Sequence, residues 1–284
     1  MAVNKRELPV TYLRPARGWV SLNLAALWAY RELVYFLTWR DIKVRYKQAA
    51  LGVAWAIIQP VVHMVIFTLI FGRLAGLKTD AGIPQEWYPI FSFAALLPWQ
   101  LFQGALQRSG ISLVGNANLL TKVYFPRLII PFSAVAAGLV DFGFSFLVLA
   151  GLMVYYQVPF SWNMLWLPAL ILLALMAALA VGLWLAALNV QYRDVQHMIP
   201  FLLQAWMYAS PVVYSIDMIP SDGPWRLIYG LNPMTGVIQG FRWALLGSSP
   251  PDRLLLVSAV MVVALLVSGL YYFRRMERNF ADMV

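Results

Sequence analysis

The 284-residue chain contains no cysteine, two histidines and only 12% charged residues. Without cysteine there is no disulfide framework, no thiol nucleophile and no thiolate metal site. His63 and His197 are too few and too far apart in sequence to suggest a metal centre, and no cofactor is expected in this chain. No Gly-x-x-x-x-Gly-Lys-[Ser/Thr] phosphate loop occurs, so the chain does not hydrolyse a nucleotide by that route. A Gly-x-Ser-x-Gly nucleophile elbow is missing too, as are tandem repeats and low-complexity tracts. The scarcity of charge, against roughly 25% in soluble domains, excludes an ordinary soluble protein.

What the chain has instead is apolar surface: 62% of its residues are apolar or aromatic, and they fall in blocks rather than amphipathic periods. A spanning helix needs about 20 mostly apolar residues, because every backbone N–H and C=O must be paired within the hydrocarbon. Six segments qualify, at about 51–72, 88–107, 128–156, 163–188, 199–216 and 253–273. The expected fold is an all-α membrane protein with six transmembrane helices. Met164 to Leu188 carries no charge and is rich in Leu and Ala, so the fourth span is expected to face lipid over much of its surface. The fifth opens on Pro200, is interrupted by Pro211 and holds Gln204, Tyr208 and Ser210. It is kept as a span because neighbouring helices can re-pair the backbone that proline frees.

The net charge of +9 acquires meaning from its distribution along the membrane normal. If both termini are cytoplasmic, sixteen of the 21 Lys and Arg residues lie inside, leaving Arg73, Lys78, Arg226, Arg242 and Arg253 outside. That asymmetry satisfies the positive-inside rule, so the charge is read as membrane topology and no nucleic-acid partner is expected. Residues 19–30 lack a small-residue cleavage site and are interrupted by Arg31-Glu32, so no targeting peptide is read there.

Outside the spans, residues 1–27 form a basic cytoplasmic arm and 276–284 a cytoplasmic tail. From 28 to 50 the chain suits an amphipathic helix in the headgroup layer. Arg40, Lys43 and Lys47 share one face, while Leu33, Val34 and Leu37 are expected to dip into lipid. Residues 112–125 read as a short cytoplasmic helix ended by Pro126. Between 217 and 251, helical pieces near 225–231 and 234–246 are too short to cross and are broken by Pro and Gly. They are expected to form a re-entrant pair on the outer side.

Polar residues within the apolar blocks carry the functional signal. Asp141 lies near the middle of the third span and either lines a polar path, pairs with a donor on a neighbouring helix or stays protonated. In the first span Gln59, His63 and Phe67 follow at intervals of four, with Trp55 one turn below. In the fifth, Gln204, Tyr208, Pro211 and Ser215 recur near the helical period. Such stripes combine hydrogen-bonding groups with aromatic planes, which suit sugar rings, although most aromatic residues must serve packing and interfacial belts. Arg242, at the outer mouth, suggests an anionic partner such as the pyrophosphate of a lipid carrier, a lipid headgroup or Asp217.

Several stretches together resemble the permeases of ABC-2 type exporters, especially those handling lipid-linked polysaccharides. They are Arg40-Asp-Ile-Lys-Val-Arg-Tyr-Lys47, Leu51-Gly-Val-Ala-Trp55, Gln59-Pro60, Leu97-Pro98-Trp99 and Asn116-Ala-Asn-Leu-Leu-Thr-Lys-Val-Tyr-Phe-Pro-Arg127. Further along come Asn189-Val-Gln-Tyr-Arg-Asp194, Ser210-Pro-Val-Val-Tyr214 and Asn232-Pro-Met-Thr-Gly-Val-Ile-Gln-Gly-Phe-Arg-Trp243. The resemblance covers about residues 28–275 and places the transmembrane domain at 51–275. It implies that 112–125 is a coupling helix docking on a cytosolic ATPase through Asn116, Asn118, Leu119, Lys122 and Tyr124, and that 28–47 is an interface helix nearby. It also implies a homodimer with two ATPase copies, which would hold the ATP and Mg, and a conduit between the two permeases lined by Trp55, Gln59, His63, Phe67, Gln204, Tyr208 and Ser215.

The implied substrate is an O-antigen-like lipid-linked polysaccharide, moved across the bacterial inner membrane among its lipids. Capsular polysaccharide, teichoic acid or a small lipophile are the alternatives. A membrane-embedded glycan enzyme or an assembly scaffold is a further class, but Asp141 is the only deep carboxylate and offers no catalytic pair.

Overall fold

The computed structural model describes residues 28–47, 52, 54–220, 224–251, 253–277 and 280. The N-terminal arm and most of the C-terminal tail lie outside the described residues. Every regular element among the described residues is helical.

Helix α1 spans Arg31–Lys47 and α2 spans Ala54–Phe67, prolonged by a π-helical stretch, Thr68–Leu74. Helix α3, Tyr88–Gly115, is followed by the short α4, Ala117–Lys122. The next span is bent at Ala137 into α5, Ile129–Ala136, and α6, Gly138–Tyr155. Helix α7 covers Leu167–Gln191 behind a 3-10 turn, and α8 covers Val195–Tyr208. Two short helices, α9 at Trp225–Gly230 and α10 at Pro233–Leu246, precede α11 at Arg253–Met276.

Four helical stretches among the described residues are long and apolar enough to cross a membrane: Ala54–Leu74, Ile129–Tyr155, Trp162–Gln191 and Arg253–Met276. The two other expected spans fall outside this set for different reasons. Helix α3 has 28 residues, ample for a crossing, but Gln100, Gln103, Gln107 and Arg108 dilute its apolar character. Helix α8 has only 14 residues, about 21 Å at 1.5 Å per residue, before Ser210-Pro211 ends it.

Helix α3 is the centre of the molecule. Its side chains Ile90, Phe91, Phe93, Leu96, Leu97, Trp99, Phe102 and Leu106 are all buried, and α7 packs along it. That packing corrects the expectation for the fourth span: 56% of its most apolar window is buried inside the protein, the largest share among the four candidates. The reason is its alanines. Ala174, Ala177, Ala178, Ala186 and Ala187 are buried on more than one side of the helix, and such small residues let both α3 and α11 approach α7 closely. At Gly182 the approach is such that a Cβ would come within 2.5 Å of Ser109 Oγ.

The two short helices between 225 and 246 have nearly the bounds that the sequence predicts. Asn232 caps α10 by accepting from the Met234 N–H, and Pro233 supplies the first-turn residue that needs no donor. Asn232 also accepts from Trp206 Nε1 at 3.0 Å and donates to Ser210 Oγ at 2.9 Å, joining α8 to α10. Ser258 of α11 donates to the carbonyls of Gly230 and Asn232 and accepts from Gly236 N. Helix α10 is buried along nearly its whole length, consistent with irregular segments at depth needing protein around them.

Helix α1 differs from expectation on its apolar face. Leu37 is buried, and Leu33 and Val34 are half-buried against the protein core rather than turned to lipid. Thr38 reaches the Ser133 carbonyl of α5 at 3.4 Å. The large exposed groups are instead Trp28, Tyr35, Phe36 and Trp39.

Candidate functional site

A cavity of about 780 Å³ opens between α2, α3, α6 and α8. From α2 it receives Trp55, Gln59, His63 and Phe67, and from α8 it receives Gln204 and Tyr208. The helical stripes read from the sequence therefore meet at one place. Their characters differ, however. Trp55, Gln59, Gln204 and Tyr208 are exposed to the open space, whereas Phe67 is 5% exposed and packs edge-on to Phe71 at 5.5 Å. The His63 ring lies 6.2 Å from Phe67, and its Nδ1 is buried without a hydrogen-bond partner.

Ser215 is not among the cavity-lining residues. Helix α8 stops at Tyr208, so the helical spacing that relates Ser215 to Gln204 is broken. Ser215 is 2% exposed and caps a 3-10 turn by accepting from Asp217 N at 3.1 Å.

Helix α3 contributes a lining that the sequence reading overlooked: Trp99, Gln100, Gln103, Gln107 and Arg108. The signal was present, since Gln100, Gln103 and Gln107 recur at helical spacing in an otherwise apolar block. Trp99 Nε1 donates to Gln103 Oε1 at 3.0 Å, which fixes both side chains.

At one end of the cavity stands a charged cluster. Asp141, in the first turn of α6, accepts from Arg45 and from the Tyr46 hydroxyl, both on α1. Arg108 of α3 reaches the same carboxylate at 3.4 Å and donates Nε–H to the Ala134 carbonyl at 3.2 Å. Asp141 therefore has donors on two neighbouring helices, in accord with the pairing reading. Burial, reinforced by the Asp141 carboxylate, pushes the Tyr46 hydroxyl up to about 12, so it stays a donor at neutral pH.

Arg242 departs from the expected position at an open mouth. Its side chain is fully buried on α10, donates to the Tyr214 carbonyl at 3.1 Å and the Val212 carbonyl at 2.9 Å, and lies 3.7 Å from the centre of the Phe91 ring. Those carbonyls lie where the chain after α8 is irregular. The guanidinium thus replaces missing backbone donors and is closed to a ligand. Asp217 pairs instead with Arg226 at 3.6 Å.

At the opposite end from α10, the residues named for docking divide into anchors and exposed groups. Helix α3 runs through Gly115, so the separate short helix is α4 and shorter than expected. Asn116 breaks the run with φ −115°; its Nδ2 donates to the Ser112 carbonyl and its Oδ1 accepts from Arg40, each at 2.8 Å. Leu120 is buried and Leu119 half-buried against the core, whereas Asn118, Lys122 and Tyr124 are exposed, Tyr124 at 85%. Lys43 and Lys47 of α1 are exposed as well, and Lys43 stacks on Trp39 at 5.3 Å. Beyond Pro126, Arg127 donates to the Glu277 carbonyl, tying this segment to the end of α11.

Comparison with known proteins places this architecture. The family model described as ABC-2 type transporter matches residues 32–246. The chain is 33% identical over 261 residues to the O-antigen export system permease protein RfbA of Myxococcus xanthus, an alignment covering 91% of this chain and 97% of that protein. It is 26% identical over 254 residues to the protein of the same name from Klebsiella pneumoniae, covering 89% of this chain and 95% of the relative. The polysialic acid transport protein KpsM of Escherichia coli is 24% identical over 246 residues, covering 84% and 91% respectively.

Proposed function

The chain belongs to the ABC-2 type transporter family, and from that premise we propose that it is the permease subunit of an ATP-driven exporter moving an O-antigen-like, lipid-linked polysaccharide across the bacterial inner membrane. The observation that carries the substrate class is the cavity itself. Exposed Trp55 and Tyr208 stand with Gln59, Gln100, Gln103, Gln107 and Gln204, so flat apolar rings alternate with amides. A sugar presents C–H faces to such rings and hydroxyls to such amides, and this lining, with Asp141 its one carboxylate, offers no carboxylate pair with which to cleave it. The likeness to O-antigen export permeases along 91% of the chain supports the same class.

In this reading the chain crosses the bilayer six times, with α3 and α8 as the second and fifth crossings. The polar faces of both are turned to the cavity, and both termini are cytoplasmic. A second copy completes the conduit along the exposed stripe of α2 that borders the cavity, where Ile58, Val62 and Ile66 follow at helical spacing. Two copies of a cytosolic ATPase hold the ATP and Mg and dock on Asn118, Lys122 and Tyr124. Their motion reaches α1 through the Arg40–Asn116 hydrogen bond and the conduit through α3, whose end supports α4. Likeness to KpsM, a polysialic acid transport protein, supports a second reading, export of another polysaccharide such as a capsular one by the same machinery.

Deletion of the gene tests the proposal. Completed, carrier-attached glycan should accumulate on the cytoplasmic leaflet and vanish from the cell surface, and the wild-type gene should restore display. Undiminished surface glycan of every class, with no internal accumulation, would exclude polysaccharide export. The chemistry of the accumulated glycan separates the O-antigen from the capsular reading.

A further inference from the structure

The charged cluster at the end of the cavity is built for more than its own neutrality. Arg45 and Arg108 come from different helices yet converge on one atom, Asp141 Oδ2. The other carboxylate oxygen is occupied by the Tyr46 hydroxyl. Among the described residues, two guanidinium groups face this one carboxylate in a recess between helices, and the other acid that acts on Arg108, Asp41, is itself paired with Arg40 at 2.8 Å. The cavity lining includes all four side chains, with 31% of Arg45, 24% of Arg108 and 31% of Asp141 open.

Arg108 is held in a niche made for it. A Cβ on Gly138 would fall 2.3 Å from its Nη2, and one on Gly104 would fall 3.0 Å from its Nη1. Both glycines thus clear space on α3 and α6 for a guanidinium, and the Ala134 carbonyl fixes its Nε–H. Asp141 satisfies only part of what these donors offer: each guanidinium carries five N–H groups, and the Arg108 contact to Asp141 is long at 3.4 Å.

We propose that Arg45 and Arg108, with Asp141 as a competing internal anion, form a binding site for a phosphate or diphosphate ester at the end of the cavity. A tetrahedral oxyanion with several acceptor oxygens can receive bonds from two forked donors at once, which one carboxylate oxygen cannot. Binding draws the guanidinium groups from Asp141 to the ester, while Tyr46 keeps the carboxylate in place. The ester has two available sources, the diphosphate of a lipid-linked glycan and the headgroup of a bilayer phospholipid. The first rests on the export reading above; the binding chemistry itself does not.

The test uses the full-length chain in nanodiscs of digalactosyldiacylglycerol, a lipid without phosphate, with radiolabelled geranylgeranyl diphosphate as the probe and geranylgeraniol, which lacks phosphate, as the unlabelled competitor. Arg45→Gln and Arg108→Gln should each weaken binding tenfold or more, and Asp141→Asn should strengthen it severalfold by removing the competing anion. That opposite sign separates a ligand site from a structural ion cluster, in which all three substitutions would harm the protein alike. Arg45 lies on α1, outside the central packing, so Arg45→Gln, with Arg45→Lys expected to retain binding within a few-fold, decides the matter if Arg108→Gln does not accumulate.

Probe binding unaffected by the Arg45 substitution, weakened by Asp141→Asn, or abolished equally by geranylgeraniol would overturn the proposal. With phosphatidylglycerol added to the nanodiscs, retained probe binding assigns the site to a diphosphate carrier, and full competition assigns it to a lipid headgroup. Neither arm requires the ATPase or the glycan, so a failure of the export reading in deletion cells leaves this result standing, and the reverse also holds.

Discussion

Single residues in this protein do different work from their neighbours in the same stripe. Trp55 and Tyr208 offer open ring faces to the cavity, while Phe67, twelve residues beyond Trp55 on the same stripe, is core. Trp55→Ala with Tyr208→Ala is therefore expected to reduce glycan export several-fold while leaving assembly intact, since each stacking contact is worth about 0.5–1.5 kcal/mol. Phe67→Ala should instead lower the thermal midpoint, with a cavity cost of about 3–5 kcal/mol. Export assays paired with melting curves distinguish the two, and undiminished export from the double variant would make both rings packing groups.

Arg242 belongs with the structural residues. Arg242→Gln should destabilise the protein by on the order of 3 kcal/mol, because two carbonyls lose charged donors, without a specific loss of substrate affinity. A stable Arg242→Gln protein with impaired substrate binding would argue for a ligand at that position. The sequence could not reveal this arginine's role. Its partners are the carbonyls of Val212 and Tyr214, which become needy only because α8 ends early, and that end depends on tertiary packing. The Asp141 cluster was half legible: the lone carboxylate stood out, but its partners are 33 and 96 residues away.

Among the elements, the long apolar runs were readable because lipid demands about 20 residues of hydrocarbon compatibility. The helices at α2, α5 with α6, α7 and α11 accordingly lie where they were expected. Composition was less informative about what each helix faces. The Leu/Ala run of α7 reads as lipid-facing, yet its alanines are buried between α3 and α11, because small residues permit close helix contact in a bilayer.

The α4 element follows a similar lesson: its length depends on where α3 stops, and Asn116 with its Arg40 bond sets that point. Leu119→Asp should detach α4 from the core, and Lys122→Glu should reverse charge on its open face. Either is expected to leave expression intact while export falls and ATP turnover by the assembled complex continues. Export undiminished in both variants would count against α4 as the lever. At the other end, Asn232→Ala removes a helix cap worth about 1 kcal/mol along with the Trp206 and Ser210 bonds. It should increase hydrogen exchange in α10 ahead of the rest, and uniform exchange would show the α8–α10 joint to be dispensable.

At the scale of the whole molecule, the proposed pairing of two copies rests on what the single chain leaves open. Its cavity is open, and beside it runs the apolar stripe of α2, Ile58, Val62 and Ile66, exposed in the single chain. Helix α11 exposes apolar residues too, among them Leu256, Val260 and Val267, but they border no polar lining and are suited to lipid. The proposed distinction between a face for lipid and a face for a second copy is invisible in composition, because both are apolar. It emerges only from which face adjoins the cavity.

The natural absence of cysteine allows a direct measurement. A single Val62→Cys substitution, oxidised in native membranes, should yield a cross-linked species of twice the 32.1 kDa chain mass, since disulfides form only when the two Cα atoms approach within about 7 Å. Val260→Cys under the same conditions should remain monomeric. Cross-linking from Val260 and none from Val62, or from neighbouring Ile58 and Ile66, would contradict a conduit enclosed between two copies.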